Sequence, residues 1–68
     1  MMTFVRGYTL EGGKVLLEGD DMTITTVQGV VVEGMLVKAS KKKTELQVEG
    51  EVETRTYLNE VIVSMDKL

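Results

Sequence analysis

The sequence predicts a small all-β protein of about six short antiparallel strands in a bent sheet or barrel, with no substantial helix. Three observations carry this. Val, Ile and Thr together make up about a third of the 68 residues, whereas Ala occurs once, at Ala39; β-branched side chains suit a pleated surface and a short helical protein wants the reverse. Seven glycines punctuate the chain between short alternating runs. No ten-residue stretch shows a 3.6-residue apolar period. The length fits one domain over residues 1–68.

The elements follow in order. Thr3–Leu10 reads as a strand with Phe4 and Tyr8 on one face. Glu11-Gly12-Gly13 is a tight turn and Lys14–Glu18 a second strand, so residues 3–18 form a hairpin. Gly19-Asp20-Asp21 turns the chain into Met22–Val27, where Met22, Ile24 and Thr26 alternate with Thr23, Thr25 and Val27. After a turn at Gln28-Gly29, Val30–Ala39 is the most hydrophobic stretch. Residues 45–58 set Leu46, Val48, Gly50 and Val52 against Glu45, Gln47, Glu49, Glu51 and Glu53, and read as one strand. Asn59-Glu60 allows a short break, Val61–Met65 is the last strand, and Asp66–Leu68 frays.

Residues 29–40 and 44–58 are expected to pair around Lys41-Lys42-Lys43. One register sets Leu36 opposite Val48 and Gly34 opposite Gly50, aligning two glycines at a bend; the other sets Lys38 opposite Glu45 but turns Glu33 inward. The first is preferred, because burying an unpaired Glu costs more than an exposed like-charge pair. Glu-Gly after an apolar residue recurs at Glu11-Gly12, Glu18-Gly19, Glu33-Gly34 and Glu49-Gly50. Its spacing is too irregular for a solenoid and fits glycines placed where strands end or bend.

The chain has no Cys, His, Trp or Pro. That removes disulfides, thiol and His-based catalysis, and Cys/His zinc sites. Ser40 and Ser64 have no His partner. Glu45, Glu49, Glu51 and Glu53 repeat at period two, the pattern of a solvated strand face, and Asp20-Asp21 is ordinary turn composition. No phosphate-binding glycine motif occurs. The expectation is a non-enzymatic protein without cofactor or metal. The N-terminus lacks the basic and apolar regions of a secretory signal, and apolar runs stop at three residues, so neither export nor a membrane span is expected and the cytoplasm is the default.

A net charge of −3 disfavours nucleic acid, since phosphate neutralisation supplies most of that affinity. The one basic cluster, Lys38 with Lys41, Lys42 and Lys43, is the candidate contact for an anion or protein partner. A chain this short buries only about 60% of its unfolded surface and usually needs a disulfide, metal or partner subunit. Self-association is the staple most open to it. A homo-oligomer is expected, joined at an edge formed by Val61, Ile62 and Val63 or by Phe4 and Tyr8.

Gly19-x-x-Met22-x-Ile24-x-Thr26-x-Gln28-Gly29, Val32-x-Gly34-x-Leu36 and Ser40 together resemble the first signature of Sm-like proteins. The resemblance implies a bent five-stranded barrel, assembly into a ring and binding of single-stranded RNA. Ser40 stands where that family has Asp, Thr44 where it has the base-contacting Asn, and Leu58-Asn59 where it has Arg-Gly. The hairpin at residues 1–18 replaces the family's helix. Leu16–Ile24 followed by Val31–Leu36 is similar to the strand-rich part of YabP/YqfC sporulation proteins. Glu45–Val52 resembles a strand of the trp RNA-binding attenuation protein, another ring, with Glu where that family carries Lys and Arg for RNA. The two ring-forming resemblances imply assembly; the substitutions in both weigh against RNA as the ligand.

Overall fold

The computed structural model describes residues 6–68; Phe4 and the expected start of the first strand lie outside the described residues. Seven strands form two antiparallel sheets. β1 (Gly7–Thr9) and β2 (Val15–Leu17) make a hairpin around a 3-10 turn at Glu11–Gly13. β3 (Asp21–Thr26), β4 (Val31–Ala39), β5 (Lys43–Gln47), β6 (Arg55–Leu58) and β7 (Ile62–Lys67) make a five-stranded sheet in the order β6-β5-β4-β3-β7. The sheet does not close on itself: β6 and β7 are its two outer strands. The all-β class holds, with seven short strands among the described residues, and of the two expected forms, bent sheet or barrel, the structure has the open sheet.

One small core joins both sheets. Met22 and Ile24 of β3, Val32, Leu36 and Ala39 of β4, and Leu46 of β5 are buried, and Leu16 of β2 is buried among them. The hairpin therefore covers the core face of the sheet. Leu16, Met22, Ile24, Leu36 and Leu46 are the fully buried large apolar side chains. At about 1.5–3 kcal/mol each, they form a thin core once chain entropy is set against them.

The alternation in β3 is realised as read: Met22, Ile24 and Thr26 are buried. In β4 the buried positions run 32, 36, then 39. A bulge at Val37 causes the change of phase, since the register slips between Leu36 and Lys38. The slip lets Lys38 point outward while Ala39 turns inward opposite Thr44. It also decides the hairpin register. Lys38 faces Glu45 at the tip, as in the less favoured alternative, but beyond the bulge Leu36 faces Leu46, so neither single register extends along the hairpin. Glu33 remains exposed, paired with Thr23 on β3.

The expected long strand at 45–58 is two strands. β5 ends at Gln47, the chain turns at Glu49-Gly50, and β6 returns antiparallel to β5. Gly50 has φ +87°, and Glu51 N–H donates to the Val48 carbonyl at 3.0 Å. Gly34 is not its bend partner. An ideal Cβ on Gly34 would come within 2.8 Å of the Gln47 carbonyl oxygen, so this glycine permits a close approach of β5. Of the four Glu-Gly pairs, three end a strand or turn with φ positive at the glycine, at Gly12, Gly19 and Gly50. The C-terminus is held, not frayed: Asp66 and Lys67 pair with Thr23 and Met22, and Leu68 N–H donates to Asp21 O at 3.0 Å.

Candidate functional site

Two features stand out: the tip of the β4–β5 hairpin, and the outer edges of the large sheet. The tip is fastened from beneath by a closed circuit of hydrogen bonds. Tyr8 Oη lies 2.8 Å from Thr44 Oγ1, Thr44 Oγ1 donates to Asn59 Oδ1 at 2.6 Å, and Asn59 Nδ2 donates to the Ser40 carbonyl at 2.8 Å. Ser40 N–H then donates back to Tyr8 Oη at 3.1 Å. Because the Thr44 proton is used on Asn59, Tyr8 is the donor to Thr44. Thr44 is fully buried, so each of these bonds replaces water that cannot reach it.

This circuit fixes Ser40–Lys43 as a tight loop, with Ser40 Oγ donating to Lys43 O at 2.9 Å. Lys41, Lys42 and Lys43 are exposed, as three consecutive charges require. Lys41 and Lys42 border a shallow depression of about 340 Å³ with Leu58, Asn59 and Glu60. Lys38 is also exposed but stands opposite Glu45 on the strand, apart from the depression. None of the four lysines forms an ion pair among the described residues.

The carboxylates expected on one strand face are dispersed by the turn after β5. Glu45 stays on β5, whereas Glu49, Glu51 and Glu53 lie in the β5–β6 connection. Glu51 is engaged by Arg55, whose Nε and Nη2 donate to its two oxygens at 2.9 and 2.5 Å. The paired guanidinium holds the Glu51 carboxyl below its ordinary range, and Arg55 is raised above its own. Asp20 accepts the Leu17 N–H at 2.9 Å and lies 3.4 Å from Lys67 Nζ. The backbone bond, aided by the Lys67 charge, lowers its pKa. Asp20 is thus a turn residue, while Asp21 opens β3. Among the described residues no group of three acidic side chains is placed to hold a metal ion.

At the edges, the structure separates residues that the sequence grouped. Val61 belongs to the 3-10 turn Asn59–Val61, and its carbonyl accepts Val27 N–H at 2.9 Å. Ile62 packs toward the core, opposite Thr26. Val63 is the extra residue of a bulge in β7, between the pairs Thr26–Ile62 and Thr25–Ser64, and is 65% exposed. Tyr8 turns inward: it is half-buried against the core and its hydroxyl closes the circuit above, so its side chain is spent on contacts within its own chain.

The second free edge, β6, escaped the sequence reading. The signal for it was present in Glu49-Gly50, the same dipeptide that ends elements at Gly12 and Gly19. The outer edge of β7 adjoins a groove of about 400 Å³, whose other wall is the β1–β2 hairpin at Thr9, Leu10 and Lys14. No protein-family model, no curated protein and no solved structure matches the chain. Among the described residues no helix is long and apolar enough to cross a membrane.

Proposed function

We propose that this protein is a non-enzymatic, cytoplasmic β-module that self-associates through the edges of its large sheet and serves as an assembly or interaction unit. One observation carries the reading: among the described residues both outer strands of a single sheet, β6 and β7, keep an unpaired edge, and each presents an exposed apolar side chain, Leu58 and Val63. An open strand edge is a template for another strand, and stable monomers usually blunt it. The thin core supplies the thermodynamic reason for pairing, because burial between copies adds apolar contact that 68 residues alone cannot enclose.

The test is native mass by light scattering at tens of micromolar. A discrete species at a multiple of 7.5 kDa supports self-association, and a monomer at that mass removes it.

A second reading, a ring binding single-stranded RNA as Sm-like proteins do, draws on the exposed Lys41–Lys43 tip beside Asn59. Salt-sensitive retention of nucleic acid during purification distinguishes it from the first.

A further inference from the structure

We infer that two copies join through β6, related by a two-fold axis normal to the sheet, with Thr56 of each copy opposite Leu58 of the other. The two Tyr57 side chains then meet on the axis. This rests on the self-association proposed above and specifies its seam. The two five-stranded sheets run on as one, with both core faces on the same side.

The backbone decides which residues can bond across an edge. Asn59 N–H donates to the Lys42 carbonyl at 2.7 Å. In an antiparallel ladder the direction alternates, so Arg55 and Tyr57 turn their backbone groups to β5, and Thr56 and Leu58 turn theirs to the free edge. In β7, Leu68 N–H donates to the Asp21 carbonyl, so Ser64 and Asp66 face β3, and Met65 and Lys67 face outward. Neighbours in the order β6-β5-β4-β3-β7 are all antiparallel, so β6 and β7 run the same way. An antiparallel joint between those two turns the next sheet over, and a parallel one forgoes the stronger ladder. A joint between like edges opposes the strands and keeps the faces aligned.

Of the two like-edge joints, β7 with β7 fits badly. The strand carries a bulge at Val63, and pairing Met65 with Lys67 of a second copy sets Asp66 against Asp66. Bulges and charges are the usual guards of an edge. On β6 the register of Thr56 with Leu58 uses both outward residues twice over, each pair exchanging both of its N–H to carbonyl bonds. Moving the axis onto Thr56 or onto Leu58 carries part of that ladder beyond Arg55–Leu58. Arg55 falls opposite Asn59, so no like charges meet. On the outer face Leu58, 51% exposed, lies against Thr56 of the second copy. Tyr57 stands opposite the buried Thr44 and so lies on the core side. With Val27, Val30 and Val61 it lines a depression of about 250 Å³, at which Val27 and Val30 are exposed. The second Tyr57, in the closer kind of cross-strand pair, comes to the rim of this depression and adds an aromatic contact.

The backbone of Leu58 supplies the test. Its φ is −69°, the value proline imposes, and its N–H faces the free edge, so Leu58→Pro removes a donor to the second copy without cutting the β5–β6 ladder. Native mass by light scattering is measured across a dilution series, with circular dichroism to follow the fold. The wild type is expected at twice 7.5 kDa. Leu58→Pro is expected to raise the dissociation constant at least about tenfold, and Leu58→Ala, which keeps the N–H, to raise it less. Equal weakening by the two overturns the backbone pairing. The chain has no cysteine, so single variants report the axis independently of Leu58→Pro. Opposed positions come within disulfide reach and diagonal ones do not. On oxidation Tyr57→Cys is expected to form a covalent dimer more readily than Thr56→Cys or Leu58→Cys. Dominance of either of those in a dimer of unchanged mass overturns the register alone. In such a dimer, cross-links through Met65→Cys, with itself or with Tyr57→Cys, overturn the β6 seam. A monomeric wild type overturns the seam together with the reading it rests on.

Discussion

Tyr8 Oη and Thr44 Oγ1 lie 2.8 Å apart, joining the N-terminal hairpin to the start of β5 across 36 residues of sequence. The contact ties the cover of the core to the loop that carries the lysines. Tyr8→Phe deletes both the donor to Thr44 and the acceptor for Ser40 N–H. It should lower stability by about 1–2 kcal/mol, within the range for losing buried hydrogen bonds. Thr44→Val should cost about 1–3 kcal/mol, because it leaves Asn59 Oδ1 without its donor while the Tyr8 hydroxyl keeps the Ser40 and Lys43 carbonyls within reach. Urea unfolding followed by tyrosine fluorescence or circular dichroism measures both; equal stability for wild type and Thr44→Val would show that the circuit does not hold the tip.

Two glycines should fail for different reasons. In Gly34→Val a side chain meets the backbone of Gln47, where even a Cβ would sit 2.8 Å from the carbonyl oxygen, so β4 and β5 must separate. The expected loss is about 3 kcal/mol or more, the cost of overpacking a rigid neighbour. Gly50→Ala meets no neighbouring atom but must hold φ near +87°. Its cost should be about 1–2 kcal/mol, the left-handed penalty for a residue with a Cβ. Thermal melts of the two variants separate these mechanisms: Gly50→Asn should recover part of the Gly50→Ala loss, whereas Gly34→Asn should recover nothing.

Much of the fold was legible where one face is buried by the chain's own neighbours. Met22, Ile24 and Thr26 alternate because β3 sits between β4 and β7, and the period survives into the structure. The stretch 45–58 misled because Leu46, Val48, Gly50 and Val52 keep the same parity after the chain has left the sheet. Val52 is 97% exposed, so its place in the pattern carries no burial. The free edge at β7 was visible as Val61–Met65. The role of Tyr8 was not, since its partners Ser40 and Thr44 are 32 and 36 residues away and no local period encodes them.

Acid should weaken the fold through Asp20 and Glu51. Both carboxyls are lowered, Asp20 by the Leu17 N–H and Glu51 by Arg55. A lowered folded pKa means that the ionised form is the better bound one. Its contribution is complete above the ordinary values of 3.8 and 4.5 and is lost as pH falls through the lower folded values. The urea midpoint should therefore be flat from pH 7 to about 5 and decline below about pH 4. Asp20→Asn combined with Glu51→Gln should lower the neutral midpoint slightly and flatten the decline. A decline as steep as wild type in the double variant would assign the acid sensitivity elsewhere.

The lysine tip supplies the last prediction. Lys41, Lys42 and Lys43 are exposed on a loop whose shape is set by Ser40, Thr44 and Asn59, not by their own side chains. Replacing all three with Ala should change stability by less than about 0.5 kcal/mol and leave the native mass unaltered. For RNA, three phosphate contacts would contribute roughly one unit each to the salt slope, a shallow dependence. Glu45 on the adjoining strand and Glu60 beside the depression oppose a longer polyanion. The three aromatics of the sequence would be a thin stacking platform, and only Tyr8 and Tyr57 fall within residues 6–68, Tyr8 already engaged with Thr44. Single-stranded RNA should therefore bind more weakly than about 10 μM at physiological salt, outside the range of specific complexes. Fluorescence anisotropy measures this; nanomolar binding abolished by the triple substitution would replace the assembly reading with the RNA-binding ring.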